Sequence, residues 1–330
     1  MSALNSQTGV EDVSLEQMMA INAKHVKRRA RRKAMYGWTF LAPFALLFLL
    51  VFIIPIFTSA YEAFFQVKAG GGAFGGGESV KVFAGFDNFV AVATAPNFWA
   101  GMGRVFLFGI IQIPVMILSA LALALLLDSI AARFQKLYRL LYFLPFAIPG
   151  IIAAIIWVYL YTPDVSPLLA VMHYLGLNPD LFDHSVVLWS MANVTTWTYT
   201  GYNMLIFYAA LQAIPTELYE AARIDGATEW QVTTKVKVPL LSSAVLLSVL
   251  LSIIGTIQLF NEPAMFQGVA GLPDDYMPML MVVAVKNGKV TFDGLTGLGP
   301  AAALSLVMAV IAGVMAFAYA MIQRKVAPSE

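Results

Sequence analysis

Six stretches of this chain contain no Asp, Glu, Lys or Arg: residues 34–61, 105–127, 140–163, 184–216, 238–261 and 294–323. The shortest has 23 residues, and about 20 apolar residues carry an α-helix across the hydrocarbon layer of a bilayer. In that layer every backbone N–H and C=O must find a partner inside the protein, which leaves helices and closed barrels. A barrel would show short segments of strictly alternating polarity, and the sequence has none. Hydrophobic residues make up 60% of the chain and charged ones 12%, against roughly 25% charged in soluble domains. The sequence therefore predicts an all-α integral membrane protein with six transmembrane helices. Six buried helices of one large soluble domain is the weaker alternative.

The basic residues set the orientation. Lys24, Lys27, Arg28, Arg29, Arg31, Arg32 and Lys33 precede the first run, and Arg133, Lys136 and Arg139 lie between the second and third. Arg223, Lys235 and Lys237 lie between the fourth and fifth runs, and Arg324 and Lys325 follow the last. These are fifteen of the twenty basic residues, so both termini and the Glu220 loop are expected in the cytoplasm of a multi-pass cell-membrane protein. The basic arm could be read as a nucleic-acid patch; directly before a membrane span, the topogenic reading is preferred, with lipid and no nucleic acid as its surroundings. The first apolar run begins only at residue 34 and is long for a signal core, so it is expected to remain as a span.

The chain divides accordingly into a basic arm (1–35), a first span (36–62), an outer loop (63–102), a five-helix region (103–323) with a cytoplasmic loop at 216–239, and a tail (324–330). Ser14 and Gln17 have capping-box spacing. The GGGAFGGG run at 70–77 reads as a flexible linker, without phosphate-loop spacing. VSPLLAVMHYLGLNP reads as a short interfacial helix, and YMPMLMVVAV, at 276–285, as a short segment packed on the outer surface. Pro114, Pro145 and Pro149 are expected to kink their helices.

Enzyme chemistry is poorly provided for. The chain has no cysteine, and its three histidines, His25, His173 and His184, have no zinc-ligand spacing. No G-x-x-x-x-G-K-[ST] or G-x-S-x-G occurs, so no cofactor is expected in this chain and no catalytic residue is assigned. Ionisable groups, which mark ion pathways in lipid, are missing from the span interiors; Glu62, Asp128 and Glu262 fall at span ends, within reach of water. The polar groups that do enter are neutral. Tyr199, Tyr202 and Asn203 share a helix face in the fourth span, and Ser252 and Thr256, with Gly255 between them, share one in the fifth. Hydroxyls, amides and aromatic faces suit an uncharged, hydroxyl-rich ligand such as a sugar. Interhelical hydrogen bonding and interface aromatics would use the same residues, and the sequence weighs the two readings equally.

The segment from Glu220 to Leu241 is charged and helix-forming, set between two apolar runs. Thr216 can cap a helix from Glu217, Gly226 permits a left-handed break, and Pro239 ends or redirects the second helix. The pattern is Glu220-Ala221-Ala222, three residues, Gly226, nine residues, then Val236-Lys237-Val238-Pro239. It resembles the EAA motif of permease subunits of bacterial ATP-binding-cassette importers, and the flanks IPTELYEAARIDGATEW and PLL resemble the carbohydrate branch, the maltose-transporter MalF-like permeases. The likeness continues through FAGFDNF (83–89), NFW (97–99), FLPFAIPGIIAAIIW (143–157) and IGTIQLFNEP (254–263). It departs at Arg104, where relatives carry Asn before Thr, at GLPDD (271–275), at Thr233, and in the valines of the motif.

The resemblance implies a type I ABC importer permease fold. It makes Glu220 and Gly226 central to contact with a cytoplasmic ATPase, with Ala221, Ala222 and Asp225 packing or supporting the bend and Pro239 closing the motif. It places sugar-contacting positions on Tyr199, Tyr202, Ser252, Gly255 and Thr256. It also implies a second, MalG-like permease, an ATPase homodimer that binds ATP and Mg, and an extracytoplasmic solute-binding protein. The rival reading is a self-contained ion-coupled carrier or channel for a neutral polar solute, against which the missing mid-membrane carboxylate counts.

Overall fold

The computed structural model of the protein describes residues 15–70, 77–129, 134–163 and 165–326. The chain forms two units, residues 1–59 and 60–330. The first is helical throughout its described part: α1 (Leu15–Phe48), a π-helical turn at Leu49–Ile53, and the beginning of α2 (Ile54–Glu62). From Leu15 the described part of the arm runs into the first span as helix, and Val26–Glu62 is long and apolar enough to cross a membrane. The capping box expected at Ser14 falls outside the described residues. The π turn has a cause. Pro55 has no N–H, and its ring crowds the carbonyl of Val51; the widened turn just before it, closed by Ile54 N–H on Leu49 O, relieves that crowding.

The second unit opens with a hairpin that the sequence reading missed. β1 (Phe65–Gly70) and β2 (Gly77–Phe83) pair antiparallel, Phe65 opposite Phe83 and Gly70 opposite Gly77, with an irregularity between Lys68 and Gly70. The linker expectation for 71–76 falls outside the described residues; its two ends are paired strand. The FAGFDNF motif acquires a physical role here. Asn88, at the start of α3 (Asp87–Thr94), donates to Ala63 O at 2.8 Å and Phe65 O at 2.9 Å and accepts from Gln66 Nε2 at 3.0 Å. It is fully buried, so all these groups exchange water for one another at little net cost.

The long helices follow: α4 (Pro96–Asp128), α5 (Gln135–Ala147), α6 (Gly150–Tyr161), the short α7 (Pro167–Tyr174) and α8 (Val187–Gln212). The α7 helix occupies the expected short segment, begun by Ser166 accepting from Leu169 N–H. Between α5 and α6 the axis turns by 95°. Ile148 precedes Pro149 and is held extended, so the third apolar run is a broken pair rather than a kinked helix. The remaining elements are α9 (Thr216–Ile224), α10 (Glu229–Val232), a second π turn (Thr233–Lys237), α11 (Val238–Leu240), α12 (Ser242–Ile257), α13 (Asn261–Ala270), α14 (Pro278–Lys286) and α15 (Leu298–Val326). The second π turn also ends two residues before a proline, Pro239, as the first ends two before Pro55.

Among the described residues, three helices are long and apolar enough to cross a membrane as single pieces, or five segments if the pairs α5–α6 and α10–α12 each count as one span. The 26-residue α8 has the length but carries the polar side chains already noted. Small residues allow close packing, as membrane helices require. Ala120 and Ala124 of α4 are fully buried in the cluster with Met204, Phe207 and Leu211 of α8. A Cβ on Gly201 would overlap the Tyr142 carbonyl, so α8 and α5 touch backbone to backbone. A Cβ on Gly299 would overlap the Phe65 carbonyl in the same way, which brings the start of α15 onto the hairpin.

One expectation is sharpened in this region. The 276–285 segment is not a surface appendage: Tyr276, Met277, Leu280, Met281 and Val285 are buried in the larger core cluster with Phe98, Met102 and Phe266. Arg104, the departure in the second span, holds it there, donating to Tyr276 O at 2.9 Å with its guanidinium 4.7 Å from the Tyr276 ring.

Candidate functional site

A cavity of about 470 Å³ opens between α4, α5, α8, α12 and the start of α13. All six residues expected along a ligand pathway line it: Tyr199, Tyr202 and Asn203 from α8, and Ser252, Gly255 and Thr256 from α12. The helical spacing that placed each trio on one face holds, and the crossing of the two helices brings the faces together. The polar groups are partly preoccupied. Asn203 donates to Tyr199 O at 3.0 Å, and Ser252 to Ser248 O at 2.7 Å. Ser248 Oγ, also in the cavity wall, is buried and has no hydrogen-bond partner. A Cβ on Gly255 would meet nothing within 4 Å, because the space beyond it is the cavity.

Several lining residues escaped the sequence reading. Phe146 of α5 stacks on Tyr202 with ring centroids 4.5 Å apart and meets Tyr199 edge-on at 5.7 Å, giving an aromatic wall. Gln112 comes from α4, and Gln258, Asn261 and Glu262 from the α12–α13 junction. Glu262 corrects an expectation directly. It is 5% exposed, enclosed rather than at a wet span end, and accepts from Thr195 Oγ1 at 3.3 Å. The FLP and IGTIQLFNEP stretches quoted for the likeness supply Phe146, Asn261 and Glu262, the one signal that pointed here.

The loop between α8 and α12 forms the two short helices expected, with different caps. The α9 helix has Pro215 as its cap residue and Thr216 already inside, without a side-chain cap bond. The capping box belongs to the second helix: Thr228 accepts from Gln231 N–H while Gln231 Oε1 accepts from Thr228 N–H. Gly226 takes φ +84°, the left-handed conformation that favours glycine. Arg223 and Glu229 clasp across the turn with two contacts, 2.7 and 3.3 Å. The clasp holds the Glu229 carboxyl below its usual range and the Arg223 guanidinium above its own.

Glu220, Ala221, Asp225, Gly226 and Pro239 are exposed and Ala222 is half-buried. The Ala221 side chain is exposed, and its carbonyl accepts from Asp225 N–H at 3.0 Å. Ile224 is 86% and Trp230 76% exposed on the same loop, large apolar groups the motif does not specify. The loop is anchored beneath. Lys237 Nζ lies 2.6 Å from Asp128 Oδ2 at the end of α4 and 4.9 Å from the Tyr219 ring, and Gln212 of α8 donates to Asp128 Oδ1 at 2.9 Å. Asp128, expected within reach of water, is nearly enclosed.

Residues 116–328 match the model of the family described as binding-protein-dependent transport system inner membrane component. The chain belongs to this family. The lactose transport system permease protein LacF of Rhizobium radiobacter is 30% identical over 298 residues, 88% of this chain and 95% of that protein. The probable starch degradation products transport system permease protein AmyD of Thermoanaerobacterium thermosulfurigenes is 26% identical, over 88% of this chain and 96% of that one. Among solved structures, a chain of a bacterial ABC transporter involved in import of the acidic polysaccharide alginate aligns over 92% of this chain and 99% of its own. Its TM-score is 0.72 at 18% identity, which establishes a shared permease fold. The chain is therefore a membrane component of a transport system and not an enzyme, and family membership sets aside the self-contained ion-coupled carrier.

Proposed function

We propose that this protein is a permease subunit of an ATP-driven carbohydrate importer, contributing one half of the translocation pathway through the cavity between α8 and α12. One observation carries the reading: the chain runs from the exposed loop, through the bend at Leu241, directly into the helix that forms the cavity wall. Ser252 lies eleven residues beyond Leu241, about 16 Å at the helical rise of 1.5 Å per residue. A force applied at α9 and α10 therefore reaches Ser252, Gly255 and Thr256 through one helix.

The hydroxyls, amides and stacked aromatic rings of the cavity are the groups that hold uncharged polyols, with rings for the apolar sugar faces and amides for the hydroxyls. The names of LacF and AmyD support a carbohydrate cargo. Glu220 and Gly226, with exposed Ile224 and Trp230, form the face that docks into a homodimeric ATPase, where ATP and Mg are bound. A second, MalG-like permease completes the pathway, and an extracytoplasmic binding protein delivers the sugar. The basic residues put both termini and the loop on the cytoplasmic side of a six-span arrangement, with residues 103–323 as the permease domain.

The test is uptake of radiolabelled lactose, maltotriose and raffinose by proteoliposomes holding the assembled transporter and its binding protein. Glu220→Ala is expected to abolish uptake at least tenfold while leaving sugar affinity of the isolated binding protein unchanged. Full-rate uptake by that variant would refute the coupling role, and failure of all three sugars would refute the cargo.

A further inference from the structure

We infer that Glu262 is a substrate contact that sets the charge class of the cargo, accepting hydrogens from neutral or amino-bearing sugars and rejecting sugars that carry a carboxylate or phosphate there. The inference rests on the carbohydrate reading above. Glu262 is the single charged side chain lining the cavity, and no Lys, Arg or His lines it among the described residues. It stands in the first turn of α13, where the helix dipole favours a negative charge. Its one side-chain donor is Thr195 Oγ1, at 3.3 Å, and that hydroxyl also lies 3.3 Å from Met191 O. That divided hydrogen and the backbone N–H of Glu262 itself leave part of a carboxylate's capacity of about four hydrogen bonds unfilled. A pair of adjacent sugar hydroxyls fits that capacity.

The neighbours reinforce the geometry. Asn261 supplies an amide beside it, pressed so close to Gly150 that a Cβ there would come within 2.6 Å of its Nδ2. An anionic ligand would gain no countercharge from these groups. An ionised Glu262 and a ligand anion about 4 Å apart, at an effective dielectric near 20, would repel strongly enough for roughly 10²- to 10³-fold discrimination.

Equilibrium binding to the assembled transporter in lipid nanodiscs tests this, without the binding protein and its own selectivity. The probes are maltotriose, digalacturonate and the glucosamine dimer. Wild type is expected to bind maltotriose and the glucosamine dimer and to disfavour digalacturonate. Glu262→Gln is expected to narrow the gap between maltotriose and digalacturonate at least tenfold and to weaken the glucosamine dimer most. If wild type binds maltotriose and the variant discriminates unchanged, Glu262 is not the selector while the carbohydrate reading stands. If wild type binds none of the three, the carbohydrate reading falls and this inference with it. A measurement on the wild type alone covers the case in which the variant misfolds. A hydrophobic carbodiimide should modify Glu262, and saturating maltotriose should slow that modification at least fivefold; no protection overturns the contact.

Discussion

Removing Asp128 should loosen the coupling loop from the helices that carry the cavity. Its carboxylate takes Lys237 Nζ at 2.6 Å and Gln212 Nε2 at 2.9 Å, and the two charged side chains are only 11% and 10% exposed. At that distance and an effective dielectric of 20, the gross attraction is roughly 6 kcal/mol, and desolvation of both ions cancels much of it. The cost of a single substitution comes instead from the ion left behind. With Asp128→Ala, the Lys237 ammonium keeps the Tyr219 ring face at 4.9 Å, worth about 0.5–2 kcal/mol, and the weaker pull of the exposed Glu229 carboxylate. Stranding a buried charge typically costs about 3–5 kcal/mol, so a net loss of about 2–4 kcal/mol is expected. Lys237→Met should cost a similar amount by stranding Asp128. The double variant Asp128→Leu/Lys237→Met should recover most of either loss, because no charge remains unpaired. The assay is equilibrium unfolding in mixed detergent micelles, closed as a double-mutant cycle, with trypsin cleavage at Lys235 as a local readout. Additivity of the two single losses to within about 0.5 kcal/mol would refute the reasoning.

Three further outcomes follow from the geometry. Gly255→Leu places its side chain in empty space, so unfolding stability should hold or rise by up to about 1 kcal/mol through helix propensity, while sugar uptake is lost; normal uptake would remove the cavity from the pathway. Gly201→Ala drives a methyl into the Tyr142 carbonyl and should destabilise by about 1–3 kcal/mol as overpacking does, read as a lowered melting temperature in detergent. Trp230→Ala, at a 76% exposed position, should leave stability within about 0.5 kcal/mol yet weaken co-purification with the ATPase at least tenfold.

The parts of the site that were legible in the sequence are those encoded locally. Tyr199, Tyr202 and Asn203 sit at helical spacing, so their common face follows from 3.6 residues per turn whatever the fold around them. Gly226 and Pro239 act on their own backbone, and their effects, a left-handed turn and a redirected helix, appear where the residues are. The missed parts depend on partners distant along the chain. Asp128 and Lys237 are separated by 109 positions, and Thr195 and Glu262 by 67. A carboxylate at the end of an apolar run reads as wet because nothing in its own segment can enclose it. Thr195 of α8 reaches Glu262, and Lys237 of the α8–α12 loop covers Asp128. The hairpin was missed for a related reason. Glycine composition describes a flexible connector, whereas pairing of Phe65 with Phe83 is decided by side chains on either side of it. Pro149 shows the intermediate case: a kink was expected from the residue, but the 95° turn also needs the extended Ile148 before it and Asn261 packed on Gly150 beyond it. These long-range pairings join the loop and the cavity into one device, since Asp128 grips the loop from the helix that also carries Gln112. Under the proposed function, movement of the loop would reach two walls of the cavity, along α4 through the ion pair and along α12 through the chain itself.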